Sequence, residues 1–381
     1  MSNTKNKILF FCTFPPPNTG QTIATKLTFE CINKYIGTAD KINIVDKNRL
    51  SRKSGDFSLS YLVKLCGNMF RLLAKILSNN YEIVYVVFGS TKFALIRDVF
   101  YTIIIKTFSK AKLIAQLHSG NYGDNFKTGL YKSIFPWLLS RVDVLIFLSP
   151  MVNKIGDKIP LNRIAYLPNM ISSDIICSDE EIEEKMKRKG EKNHFDIFYI
   201  SNMIAEKGYD DLVKAAGIFK RTCFDVEFTV HLVGGWPSEQ VRADFESKLA
   251  EDNMQNNVKS YGSIVDRKML KSFFLLADVF VLPTYYAIEA QPLSIIEALN
   301  AATPVISTYH ASIPDLIQNG ENGFLVQPKD TDAIATALQK LTDEEQWMKT
   351  AATARVSYKL NFDQPVIIPK IEHIFWGAVP Y

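Results

Sequence analysis

The sequence is poor in residues that staple a fold or hold a metal. Its five cysteines, Cys12, Cys31, Cys66, Cys177 and Cys223, are scattered, odd in number and in no close pair. That pattern excludes a disulfide framework and cysteine-based metal spacing, and it fits a reduced, cytoplasmic chain. The opening residues, MSNTKNKILFFCTF, pass from polar to one short apolar run with no signal-peptide cleavage pattern. No repeat, low-complexity tract or nucleic-acid-binding motif stands out. Long uncharged apolar runs are also missing. The nearest, SYLVKLCGNMFRLLAKILSNN (60–80), is long enough to span a bilayer but carries Lys64, Arg71 and Lys75 along it. Each cation would be costly at the bilayer centre.

What is present describes two globular domains. A chain of 381 residues exceeds one ordinary core. Its 47% hydrophobic and 22% charged residues rule out a disordered chain. The net charge of +4 conceals an asymmetry. Residues 1–175 carry 23 Lys and Arg against 10 Asp and Glu, a balance of +13, and the remainder sums to −9. A basic first half implies an anionic partner.

Short apolar runs alternate with helical patterns throughout. KILFFC, KINIV, IVYVVF, KLIAQLH, VLIFLS and IAYLP read as strands in the first half. DIFYIS, FTVHLVG, VKSYG, VFVLP, PVIST and GFLVQP form a second set. Near-continuous apolarity marks strands buried on both faces, and βα alternation marks a parallel sheet. The expected architecture is α/β, with two Rossmann-like, doubly wound parallel-sheet domains facing a cleft. The expected boundaries are 1–175, a charged linker at 176–193, a second domain at 194–355, and a helical segment at 356–381 returning to the first. Ligands of such sheets bind beyond the carboxyl ends of the strands.

One strand end is rich in candidates. VFVLPTYYAIEAQPLSIIEALNAATPVIST reads as strand, loop, helix, strand. Pro292 suits the first helical position. Glu289 then lies in the loop and Glu297 on the second turn. The free amides of Leu293 and Ser294 at the helix N-terminus favour a phosphate. A nucleotide sugar needs this order: an acceptor for sugar hydroxyls, a diphosphate cradle, and an acceptor for the ribose diol. From spacing alone, a loop acid and a surface helix acid are the plainer reading. DTD (330–332) imitates a metal-binding D-x-D, but it precedes a helical run, so capping explains it better.

The segment 281–308 resembles the signature of glycosyltransferase family 4, retaining enzymes of the GT-B fold. Pro283, Thr284, Glu289, Pro292, Leu293, Glu297, Ala298, Pro304, Val305 and Ile306 match its pattern in order. Ala290 and Gln291 stand where glycine and an aromatic are usual. The resemblance assigns Glu289 to the donor sugar and Glu297 to the ribose. SNMIAEKGYDDL (201–212) is similar to the family's diphosphate segment, with Lys207-Gly208 matching and Asn202 replacing arginine. Losing that arginine removes a bidentate phosphate donor. His118, in LHSG, resembles the family's sugar-facing histidine. Gly20 resembles the glycine of its first loop, and Ile264, after VKSYG, is grouped with the donor-binding residues. The implied function is transfer of a sugar from a nucleotide-diphosphate sugar to a glycan or lipid-linked acceptor in surface polysaccharide biosynthesis. No metal or cofactor is expected. Two alternatives stay open: a GT-B nucleotide-sugar epimerase, and a catalytically silent binding partner.

The basic first half adds a location. Lys64, Asn68, Arg71 and Lys75 fall on one helical stripe, with KNRLSRK (47–53) upstream. The expectation is peripheral docking on the anionic inner face of the cytoplasmic membrane, not nucleic-acid binding.

Overall fold

The computed structural model describes residues 7–44, 59–120, 122, 127, 129, 131–155 and 159–377. The chain divides into two compact units, Met1–Met170 with Gln364–Tyr381, and Ile171–Asp363.

Among the described residues, the first unit holds a parallel sheet of β1 (Lys7–Cys12), β2 (Thr38–Asn43), β3 (Ile83–Phe88), β4 (Lys112–Leu117), β5 (Val144–Phe147) and β6 (Ile164–Tyr166). Its order is β2-β1-β3-β4-β5-β6. β1, β3, β4 and β5 are buried on both faces because helices cover both faces. The edge strand β2, TADKIN, buries only Ile42. The helices are α1 (Gly20–Cys31), α2 (Leu59–Leu77), α3 (Lys92–Phe108) and α4 (Tyr131–Ser140). Right-handed crossovers put α1 on one face, and α2, α3 and α4 on the other. The stretch KNRLSRK (47–53) lies outside the described residues.

The second unit holds α5 (Asp179–Glu191), β7 (His194–Ile200), α6 (Tyr209–Thr222), β8 (Glu227–Val233), α7 (Glu239–Glu251), β9 (Val258–Gly262) and α8 (Arg267–Leu276). It continues with β10 (Val279–Leu282), α9 (Leu293–Asn300), β11 (Val305–Thr308), α10 (Ile313–Leu316), β12 (Gly323–Val326), α11 (Thr331–Lys340) and α12 (Glu344–Asn361). Its sheet runs β12-β11-β10-β7-β8-β9, all parallel. Strand order reverses between β7 and β10, and ligands of such sheets bind at the carboxyl ends of strands where the order reverses. This reversal positions the site.

The charged stretch expected as a linker contains α5, which packs into the second unit. Ser178 and Glu181 cap it reciprocally. Lys185 is buried and donates to the Phe274 and Ala301 carbonyls, each at 2.9 Å, and to the Thr303 hydroxyl. Burial pulls its pKa down to about 7. A charge-dense sequence hid a side chain that fastens the helix to the core. Asp330 caps α11 through the amide of Ala333, so DTD is a helix start. The last described helix is α13 (Gln364–Trp376), whose Ile367, Ile371, Ile374 and Phe375 join Phe10, Tyr85 and Ile114 in the core of the first unit.

Candidate functional site

The site in the second unit begins where β7 ends. The Ser201 amide bonds to the Val233 carbonyl at 2.9 Å and the Met203 amide to the Gly235 carbonyl at 3.0 Å. These bonds hold the loop over the end of β8. A Cβ on Gly234 would lie 1.8 Å from the Ser201 carbonyl oxygen, so only glycine permits the crossing. The loop then makes a short turn, Ala205–Lys207, closed by Gly208 at φ +82°. A Cβ there would lie 2.4 Å from the Pro283 carbonyl oxygen. Gly208 is therefore what lets the β7 loop abut the β10 loop, and it brings Lys207 with it.

The β10 loop is held from both sides. The Tyr285 amide donates to the Glu206 carbonyl at 2.8 Å, and the Glu289 amide to the Tyr286 carbonyl at 2.8 Å. His310 Nε2 lies 2.8 Å from the same Tyr286 carbonyl. The Ser312 amide and hydroxyl both donate to the Ala290 carbonyl. Ala290 and Gln291, the two departures from the family pattern, are both buried.

Within this frame Lys207 Nζ and the Glu289 carboxylate form an ion pair, both side chains largely shielded from water. The ammonium also lies 5.2 Å above the Tyr286 ring. Burial, with Glu289 and Glu206 nearby, raises the Tyr286 phenol above its ordinary pKa. Four residues past Glu289, α9 begins at Leu293, with Pro292 as its N-cap rather than its first helical residue. No side chain caps the amides that follow, and Leu293 and Ser294 are half-exposed. These amides carry the positive end of the helix dipole.

Glu297, one turn further, is 4% exposed and bonds to Arg267 Nη2 at the start of α8. Arg267 Nε is enclosed without a hydrogen-bond partner. Sequence reasoning missed Arg267. A single arginine at a helix start carries no pattern of its own, although its place just after β9 satisfied the strand-end rule. Ile264, in the same loop, is partly buried against the core of the unit. Asn202 is exposed, and its carbonyl accepts from the Tyr199 hydroxyl at 3.1 Å.

The structure thus gathers Lys207, Glu289 and the α9 amides at the strand-order reversal, with Asn202 on the β7 loop, Ile264 on the β9 loop and Glu297 inside α9. Two expected residues belong to the first unit. His118 follows β4; burial pushes its pKa down to about 4, so the ring is neutral at pH 7, and its Nε2 is enclosed without a partner. Gly20 opens α1, where Thr19 and Thr22 cap each other and the space a Cβ would take is empty. Packing does not demand a glycine there. Among the described residues, no group of three or more His, Cys, Asp and Glu is placed to hold a metal ion.

Comparison with known proteins places this site in context. The family described as glycosyl transferases group 1 matches residues 180–356, inside the second unit. The amylovoran biosynthesis glycosyltransferase AmsK of Erwinia amylovora is 25% identical over 183 residues, 47% of this chain and 44% of that protein. The alpha-D-kanosaminyltransferase of Streptomyces kanamyceticus is 24% identical over 260 residues, 65% of each chain. The chain thus spans about half to two thirds of the length of these curated relatives. Among solved structures, sucrose-phosphate synthase from Thermosynechococcus elongatus superposes with a TM-score of 0.75 at 17% identity, covering 97% of this chain and 98% of that one. HepE of Anabaena, solved in complex with UDP, gives 0.69 at 16% identity, covering 96% and 97%. At such identities the likeness shows the fold, and that fold is the two-domain α/β arrangement of the GT-B type.

Proposed function

We propose that the second unit binds a nucleotide-diphosphate sugar and that the chain is a retaining glycosyltransferase of the family 4 type. The Lys207–Glu289 pair, held at the strand-order reversal beside the open α9 amides, carries this reading. Lys207 spends its charge on Glu289. A diphosphate carries more negative charge than one carboxylate, so it draws the ammonium away. The Glu289 oxygens are then left to accept from sugar hydroxyls. The amides of Leu293 and Ser294 complete the phosphate cradle. Glu297, oriented by Arg267, takes the ribose diol, and Ile264 and Asn202 border the nucleotide. His118 and Gly20 keep proposed roles toward sugar and phosphate on the resemblance alone.

In the reaction the acceptor oxygen bonds to the anomeric carbon on the face from which the diphosphate leaves. The bond from that carbon to the phosphate oxygen breaks, and the leaving phosphate oxygen takes the acceptor proton. No protein nucleophile is required. Charge on the leaving group is met by Lys207 and the helix amides, so no metal or cofactor is invoked. The relatives named for amylovoran and capsular polysaccharide biosynthesis support a glycan or lipid-linked acceptor. The +13 balance of residues 1–175 supports a peripheral position on the anionic inner face of the cytoplasmic membrane.

The two acids separate the roles. Glu297→Gln is expected to weaken binding of the free nucleoside diphosphate at least tenfold. Glu289→Gln should leave that binding equal or tighter, since Lys207 is released, while sugar turnover falls at least tenfold. Calorimetry with free nucleoside diphosphates, alongside release rates from the sugar donor, reads both. Parental binding and parental turnover in both variants would discard the assignment.

A further inference from the structure

The first unit carries an outward face that its own core does not use. On α2, Val63, Phe70 and Leu77 recur every seven residues and are exposed, Phe70 to 72%. On α3, Phe93, Ile96, Phe100 and Ile103 recur at three and four residues and are also exposed, Phe100 to 43%. Both spacings keep a stripe on one helix face. The two helices pack on each other in the layer over one face of the sheet. Trp137 on α4 is exposed beside them in that layer. Scattered exposed apolar residues are ordinary, but two parallel stripes on packed neighbours are not.

Among the described residues, α2, α3 and α4 carry almost only basic charge, and the acid just past α4, Asp143, is paired with Lys106. α2, α3 and α4 contain a single acid, Asp98, which is 2% exposed and paired with Arg97. Lys92, Lys110, Lys132 and Arg141 lie exposed at or just beyond the helix ends. The basic stripe of α2, in contrast, turns partly inward. Lys75 pairs with Asp40 at 3.3 Å, and Arg71 donates to the Asn43 carbonyl at 3.3 Å, so both engage the edge strand β2. Among the described residues no helix is long and apolar enough to cross a membrane.

We propose that the outer face of α2 and α3 seats in an anionic lipid bilayer, with Phe70, Phe93 and Phe100 entering the headgroup–acyl boundary and the terminal cations meeting lipid phosphates. This rests on the membrane reading above and moves the contact from the basic stripe to the apolar one. A second copy of the chain is the poorer occupant, because it would bring the same helix-end cations near their like. An apolar face with cations at its helix ends matches the layered chemistry of a membrane surface, where aromatic rings sit at headgroup depth.

The test uses the full chain and vesicles of phosphatidylcholine with or without phosphatidylglycerol. The parent should co-sediment with the anionic vesicles. Raising salt should weaken the association without abolishing it, because screening removes only the charge component. The triple variant Phe70→Ser, Phe93→Ser, Phe100→Ser should partition at least tenfold less, with unchanged melting and unchanged nucleoside diphosphate affinity. Lack of binding by the parent, or equal binding by the triple variant, overturns the proposal. So does a parent that is dimeric by light scattering and becomes monomeric in the variant. Parental vesicle binding without turnover of any sugar nucleotide would refute the enzymatic reading and leave this one standing.

Discussion

Lys207→Met is expected to lower sugar transfer at least tenfold and to weaken nucleoside diphosphate binding by a similar factor. Charged hydrogen bonds are worth roughly 1.5–3 kcal/mol, and each 1.4 kcal/mol is about a factor of ten. The loss should be larger in turnover than in ground-state binding, because charge builds on the leaving diphosphate as the bond to the sugar breaks. Lys207→Arg keeps the charge and should recover part of both. A merely structural lysine would behave differently. Its loss would unpair Glu289 and lower stability, while the surviving folded protein bound nucleotide normally. Calorimetry and steady-state release rates on the three proteins decide between these outcomes.

Arg267→Met should have the largest effect on stability. It leaves the Glu297 carboxylate, 4% exposed, without its partner. Breaking a buried pair from one side costs about 3–5 kcal/mol. The low end applies here, because the Arg267 side chain is itself 26% exposed. For a domain of this size, about 3 kcal/mol lowers Tm by roughly 6–12 °C. The double variant Arg267→Met, Glu297→Gln removes the orphaned charge and should regain most of that loss. Nucleotide affinity should stay low in both. If the single variant melts like the parent, the pair is not a buried strut. If the double variant binds nucleotide like the parent, Glu297 does not hold the ribose.

The strands were legible because burial on both faces leaves almost unbroken apolar runs such as IVYVVF and VFVL. The positions of Lys207 and Glu289 were legible because each follows such a run. Their pairing was not, since it depends on Gly208 bringing two loops into contact, a consequence of one backbone angle. Arg267 stayed hidden because its partner lies thirty residues along the chain. α5 read as a linker because its charges outnumber the two side chains, Ile182 and Lys185, that it buries. The outward face of α3 was invisible for the opposite reason. KFALIRDVFYTIIIKTF is apolar nearly all round, and a sequence cannot say which of two apolar stripes meets the sheet.

The central claim is that this chain takes a sugar from a nucleotide diphosphate. The direct measurement incubates the full chain with UDP-, GDP-, ADP- and dTDP-sugars, with and without a membrane lipid extract as acceptor source, and follows free nucleoside diphosphate. One donor class should release its diphosphate, faster with the extract than with water alone, and the first-formed glycoside should keep the donor's anomeric configuration by NMR. Absence of release from every donor, or a donor isomerised with its diphosphate still attached, would contradict the account.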